Sequence, residues 1–130
     1  MPELPHARAF LAQLSEVMPL GYSTVLEGDL LLLMSPDGGR AGSSSYWLTS
    51  EALREDEVLG CAVQSLSQIQ QEIAEETTEP WPARSGPDYC AFPEPGGEVV
   101  GNELRLWFGA VDAPALAFRP IDMSGVIVRE

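Results

Sequence analysis

The longest uninterrupted apolar run in this chain, Leu30 to Met34, contains only five residues. A helix that crosses a membrane needs about 20 consecutive apolar residues, so we expect no membrane-spanning segment. Five residues is instead an ordinary length for a β-strand. Because the apolar residues of this run do not alternate with polar ones, the sequence predicts a central strand that is covered on both of its faces.

Turn signals on both sides of this run predict the strands that accompany it. Tyr22 to Leu26 precedes it across the short turn Glu27-Gly28-Asp29, a spacing that favours a β-hairpin. Ser35 to Ser43 contains a proline, an aspartate and two consecutive glycines, so we expect a loop there. Ser44 to Leu48 is rich in aromatic residues and is predicted to be the third strand.

Two stretches with apolar residues at every third or fourth position predict helices. The first spans about Pro5 to Met18 and is followed by a proline. The second is expected to begin after a capping hydroxyl at Thr49 or Ser50. It is expected to end near Thr77, because Pro80 cannot continue a helix.

The long second helix carries a narrow apolar seam, and we expect Gly60 to divide a short leading turn from its main part. The seam consists of Leu59, Ala62, Leu66, Ile69 and Ile73. It either covers the sheet or meets a second copy of the chain across a twofold axis through Leu59, Leu66 and Ile73. Of these two interpretations we favour the homodimer.

The last third of the chain returns to β-structure after an irregular, proline-rich segment, Glu79 to Gly97. Strands are predicted around Val99 to Phe108, at Ala115 to Phe118 and at Gly125 to Val128. The order is then α-βββ-α-ββ(ββ). Short turns between consecutive strands favour antiparallel pairing. The sequence therefore predicts a single two-layer α+β domain over residues 1–130, with an antiparallel sheet of about five to seven strands and two helices.

The charge balance narrows the range of partners. Twenty acidic residues oppose seven basic ones, and the formal net charge is -13. All the basic residues are arginine, and this absence of lysine is typical of GC-rich bacterial genomes. A surface this negative repels phosphate backbones and anionic lipids, so we expect no direct binding to nucleic acid or membranes. The negative charge either serves solubility alone or favours a partner protein with a basic surface.

The residues that usually bind metals or act as nucleophiles do not form a recognisable set. The single histidine, His6, lies near the N-terminus, and Cys61 and Cys90 are far apart in the chain. Neither arrangement matches a zinc spacing, and no calcium loop or phosphate-binding loop is present. We therefore expect no metal, no cofactor and no enzymatic activity. We also expect a cytoplasmic protein, in which thiols are usually reduced. Cys61 lies among apolar residues of the predicted helix, so it is expected to be a small buried apolar residue.

The strongest candidate binding site is a group of carboxylates near the end of the long helix. Glu72, Glu75, Glu76 and Glu79 are three and four residues apart, so they lie on adjoining turns of one helical face. Simple solvation of that face explains the cluster without a function, and partner binding ranks ahead of catalysis among the alternatives. Trp81 is a candidate contact residue of the same surface, since exposed aromatic residues mark interfaces. The alternative is that Trp81 is buried against the helix end.

These observations favour a non-enzymatic acidic binding module, such as an adaptor, a chaperone-like protein or an immunity-type protein. One alternative is a small carboxylate-dependent enzyme such as a hydrolase, which would need Glu72, Glu75 or Glu76 in a cleft with raised pKa values. Another is a nucleic-acid mimic, which would need carboxylates at phosphate-like spacing on one surface.

In size, acidity and element order, the chain resembles the small dimeric chaperones of bacterial secretion systems. The resemblance lies in the order helix, three strands, helix, strands, and it involves no sequence motif. It implies binding of another protein without catalysis. The β-rich C-terminal part departs from those chaperones, which end with a helix, so no functional residue is carried over.

Overall fold

Two helices provide the apolar faces that the sequence periodicity predicts. The computed structural model describes residues 4–77, 81, 93–110 and 113–128. Helix α1 spans Pro5–Val17 and helix α2 spans Glu55–Thr77. The end of α1 has a local cause: Met18 precedes a proline and takes the extended conformation that such a residue prefers, with ψ at 145°. Both predicted helices are confirmed.

A three-stranded antiparallel sheet follows α1, in the spatial order β1-β2-β3. It consists of β1 (Ser23–Glu27), β2 (Leu30–Met34) and β3 (Arg40–Ser44). The predicted hairpin is confirmed: its turn contains Gly28, whose φ of 61° is in the left-handed region that favours glycine. The apolar run is the central strand, as its sequence predicts. We refer to β1, β2 and β3 together as the small sheet.

The third strand begins earlier than the sequence predicts. The turn between β2 and β3 is short, because the Ser35 N–H donates to the Gly39 carbonyl at 2.9 Å and pairing resumes at Arg40. The segment predicted as the strand, Ser44 to Leu48, instead contains a short 3-10 helix at Tyr46–Leu48. That prediction is wrong because this turn buries Trp47 and Leu48 together in the core, which the alternation of a strand does not allow.

The start of α2 also differs from the predicted one. The hydroxyls of Thr49 and Ser50 donate to the Tyr46 carbonyl, at 3.2 and 2.9 Å, and neither caps α2. A two-residue strand, β4 (Leu53–Arg54), lies between them and the helix. Within α2 the helix continues through Gly60 without a break, so the predicted division is wrong. Burial of the apolar face of α2 outweighs the cost of one glycine, about 1 kcal/mol relative to alanine.

A second antiparallel sheet forms from the C-terminal third of the chain. Its strands are β5 (Pro95–Val100), β6 (Glu103–Ala110), β7 (Ala113–Ala117) and β8 (Ile121–Asp122). Strand β6 pairs with each of the other three. The predicted alternation is confirmed, since Leu104, Leu106 and Phe108 are buried while Glu103 and Arg105 are exposed.

The chain therefore has an α+β two-layer fold, with the antiparallel strands divided between two sheets. A further short strand, β9 (Ile127–Val128), pairs with β4 in parallel. This pair departs from the antiparallel pattern expected for the whole chain. It attaches the end of the described chain to the start of α2.

Trp47 links the two helices inside the core. Its indole N–H donates to the Ser65 hydroxyl of α2 at 3.2 Å, and its carbonyl oxygen lies 2.8 Å from Nε2 of His6 in α1. The ring of Phe10 packs against the indole at 5.0 Å between ring centroids, in an edge-to-face arrangement. The side chain of Trp47 is fully buried.

The apolar seam of α2 packs within the chain itself. Leu66 and Ile73 are fully buried, and Leu59 is half-buried against the second sheet. The interpretation of this seam as a twofold contact is therefore wrong, because these side chains are covered by the core. Self-association through another surface stays a prediction.

Two glycine substitutions should change stability in opposite directions. A Cβ added at Gly60 meets no atom within 4 Å, so Gly60→Ala should raise the free energy of unfolding by about 0.5–1 kcal/mol through helix propensity. A Cβ at Gly97 would lie 2.9 Å from the Arg105 carbonyl oxygen and 2.9 Å from Leu106. Gly97→Ala should therefore lower it by about 1–3 kcal/mol. Urea unfolding of both variants measures these effects, and equal stabilities would contradict the packing described for β5.

Candidate functional site

The predicted acidic cluster lies on the last turns of α2. Glu75 and Glu76 are exposed and Glu72 is half-buried; Glu79 lies outside the described residues. The helix offers no basic residue in its last turn. The carbonyl groups at a helix C-terminus carry partial negative charge, so this end of α2 combines backbone and side-chain negative potential. We call Glu72, Glu75 and Glu76 the acidic end of α2.

The carboxylates of the acidic end interact with neutral groups. Gln71 Nε2 donates to Glu75 Oε1 at 3.2 Å. Glu76 lies near Tyr22: burial of the phenol, with the negative charges of Glu76 and Asp37, raises the pKa of Tyr22. None of the four arginine–carboxylate ion pairs among the described residues includes a carboxylate of the acidic end.

A groove beside the acidic end has a mixed lining, with more apolar than polar surface. Its volume is about 400 Å³, and the described residues that line it are Ser67, Gln70, Gln71, Ala74 and Glu75. That volume is within the range of small-molecule and side-chain binding pockets, roughly 300–1,000 Å³. Amide and carboxylate oxygens on its wall can accept hydrogen bonds from a cationic group. This arrangement is suited to holding a long basic side chain.

Trp81 does not contribute to this surface. It is only 9% exposed, its indole N–H donates to the Val17 carbonyl at 3.2 Å, and its ring packs edge-on against Phe108. Trp81 therefore joins the end of α1 to the second sheet. Its assignment as a contact residue is corrected to a structural role, because a buried indole cannot reach a partner.

A second polar group, which the sequence pattern did not predict, lies at the start of α2. The Tyr46 hydroxyl donates to Glu57 Oε2 at 3.3 Å, and hydrogen bonding with the Cys61 thiol, followed by nearby negative charge, raises the pKa of Tyr46 to about 12. Glu57 and Cys61 are four residues apart, and this spacing alone indicates that they lie on one helical face. Cys61 is a free thiol, half-buried rather than buried as expected, while Cys90 lies outside the described residues. The single histidine is engaged elsewhere, so this group lacks an imidazole base.

The single histidine, His6, is buried in the core. Only 1% of it is exposed, and Nδ1 is buried without a hydrogen-bond partner while Nε2 contacts the Trp47 carbonyl. Burial lowers the pKa of His6, opposed in part by the Trp47 carbonyl. The folded protein therefore favours neutral imidazole, which fits a structural role for His6.

Comparison with known proteins gives no relative for this chain: no family model, curated protein or solved structure matches it. Among the described residues, no three His, Cys, Asp or Glu side chains are grouped so that they could hold a metal ion. In the same part of the chain, no helix has the length and apolar content that crossing a membrane requires.

The buried imidazole should make stability depend on pH in a narrow range. The unfolded chain binds a proton at His6 below about pH 6.5, whereas the folded chain resists it, so the free energy of unfolding should fall as the pH drops below that value. The loss is at most about 1.4 kcal/mol per pH unit. His6→Gln keeps an amide donor for Trp47 and removes the titration, so its stability should change less between pH 7.5 and 5.5. Urea unfolding across this range measures the effect, and parallel curves for the two proteins would contradict it.

Proposed function

We propose that this chain is a non-enzymatic protein-binding module, and that the acidic end of α2 binds a basic surface of another protein. The observation that carries the proposal is that, among the described residues, no arginine pairs with Glu72, Glu75 or Glu76. In the described part of the chain, arginines pair with carboxylates at four other places. Within the described part of the chain, the acidic end is therefore a region of negative charge that no arginine neutralises and that a cationic partner can neutralise.

The groove gives this surface a specific shape as well as a charge. Glu75 lies on its wall, and the nearby amide of Gln71 positions that carboxylate by donating to it. A guanidinium group binds carboxylates through paired hydrogen bonds, which are stronger than neutral ones. An arginine of the partner, inserted along the groove toward Glu75, is the contact that this geometry favours.

The biological role that fits such a surface is that of an adaptor, a chaperone-like protein or an immunity-type protein, which acts by covering its partner. We propose the cytoplasm as its location, since the free thiol at Cys61 is typical of reducing compartments. The hydrolase alternative receives no support from exposed carboxylates such as Glu75 and Glu76. The nucleic-acid mimic receives none either, because exposed carboxylates also lie on α1 and on both antiparallel sheets, as at Glu16, Glu27 and Glu98.

Neutralising the acidic end should weaken partner binding. In the triple variant Glu72→Gln, Glu75→Gln and Glu76→Gln, retention of the partner in affinity capture from source lysate should fall roughly tenfold, because the charges that steer and hold a basic surface are removed. Wild-type protein should retain the same partner at 50 mM NaCl and lose most of it at 500 mM, since salt screens exposed charges. Mass spectrometry of the retained proteins, quantified against wild type, provides the measurement.

The matched control removes three exposed carboxylates elsewhere, in the variant Asp29→Asn, Glu51→Gln and Glu94→Gln. It changes the net charge equally and should retain the partner. If both triple variants lose the partner to the same extent, total charge rather than the acidic end is responsible and the proposed site is wrong. If wild-type protein retains no partner at either salt concentration, the proposed function is wrong.

A further inference from the structure

The small sheet has an apolar outer face. Leu31 and Leu33 point into the core, whereas the alternate residues of β2 point outward. The residues opposite one another in the register share this outer face: Ser23, Val25, Glu27, Leu30, Leu32, Met34, Arg40 and Gly42. Val25 is 41% exposed and Leu30 is 45% exposed. A sheet with one face in solvent normally presents polar residues there, so this face has the composition of one that is covered.

An ion pair crosses the outer face diagonally. Arg40 begins β3 and Glu27 ends β1, so the two lie at opposite corners of the small sheet. Arg40 Nη2 is nevertheless 3.2 Å from Glu27 Oε2. The two side chains must therefore reach toward each other across the middle of the face, where Leu32 lies beside Gly42. A long arginine stem covers apolar surface in this way while its head stays in water.

The middle of the outer face contains a leucine that is buried outside the main core. Leu32 is only 8% exposed, although it does not belong to the main core cluster. It leans over the strand beside it: a Cβ added at Gly42 would lie 2.9 Å from Leu32 Cδ2. The glycine thus leaves a level surface between β2 and β3, which a second sheet can approach closely.

We propose that this outer face binds the same face of a second copy of the chain, forming a twofold dimer by sheet-on-sheet packing. A twofold axis that lies in the interface, perpendicular to the diagonal from Arg40 to Glu27, places Arg40 of each copy over Glu27 of the other. Each copy then exchanges its internal ion pair for one between copies. Val25, Leu30 and Met34 of the two copies are buried against each other. Such self-complementarity is what an isologous interface requires.

Charge is the reason to assign a second copy rather than a different partner. Two chains that each carry a net charge of -13 repel each other. The outer face adds nothing to this repulsion where the copies touch, since it contains one arginine and one glutamate, which are complementary to the same pair on a second copy. A basic partner would gain nothing from a neutral face. This surface shares no residue with the acidic end of α2, so the dimer does not depend on the proposed function.

The size of the face sets the strength of the dimer. Three strands of five residues measure about 10 Å by 17 Å between backbones, much less than the roughly 800 Å² per partner of a stable interface. We therefore expect a weak, reversible dimer with a dissociation constant of about 100 μM.

Salt should strengthen the dimer several-fold, because salt screens the repulsion between the two chains. Salt weakens binding at the acidic end, so the two surfaces are distinguishable.

A pair of charge-reversal variants tests the exchange directly. In Glu27→Arg, the dimer would place two arginines together at each contact, and in Arg40→Glu it would place two glutamates together. Each variant alone should therefore be monomeric. Mixed in equal amounts, they should form a heterodimer, because every contact then joins an arginine to a glutamate. Sedimentation velocity measures the association of the two variants, their mixture and wild type. Each is studied from 10 μM to 1 mM in 500 mM NaCl.

The matched controls are Glu103→Arg and Arg119→Glu. They make the same changes in charge but break ion pairs elsewhere in the chain. Both should dimerise as wild type does. Monomeric wild type throughout the concentration range overturns the proposal and leaves the face to a partner of another sequence. Single variants that dimerise like wild type overturn it too, since the dimer then uses another surface. So does a mixture that stays monomeric, because the ion pair then acts only within one chain.

Discussion

The burial of Trp47 with its indole N–H and its carbonyl oxygen paired is the interaction on which the rest of the fold depends. Leaving one buried polar group unpaired costs about 1–3 kcal/mol, so the indole fixes Ser65 of α2 and its carbonyl fixes His6 of α1. The neighbouring Ser45 extends this anchor: its hydroxyl lies 2.9 Å from that of Ser65, and its N–H donates to the Asp29 carbonyl in the hairpin turn at 2.7 Å. Both helices and the small sheet thus meet at one short turn.

This shared anchor leaves two chemically different surfaces free. The last turns of α2 lie beyond the anchor and carry Glu75 and Glu76 into solvent. The small sheet turns Leu31 and Leu33 toward the anchor and its other face outward. One surface is charged, and the other is largely apolar and formally neutral. Ionic strength is therefore expected to affect binding at the two surfaces differently. The two proposed contacts therefore use different residues of the chain.

Patterns among neighbouring residues predict correctly the helices and the hairpin. They fail where contacts between residues far apart in the chain decide the structure. The helices and the hairpin follow from apolar spacing, prolines and Gly28. The turn at Tyr46–Leu48 reads as a strand because aromatic residues favour strands, but its hydrogen bonds join Trp47 to residues 18 and 41 positions away. At the site, helical spacing placed Glu72, Glu75 and Glu76 together correctly. The burial of Trp81 depends on Val17, 64 positions away, which no local pattern reveals.

The parallel pairing of β4 with β9 has a consequence for how the chain reaches its fold. Leu53 pairs with Ile127, so this contact closes a loop of about 74 residues, with a large entropic cost before it forms. Contacts between such distant residues slow folding, because the intervening chain must first be ordered. The start of α2 is therefore held by a contact whose formation costs more chain entropy than the hairpin pairs of the small sheet.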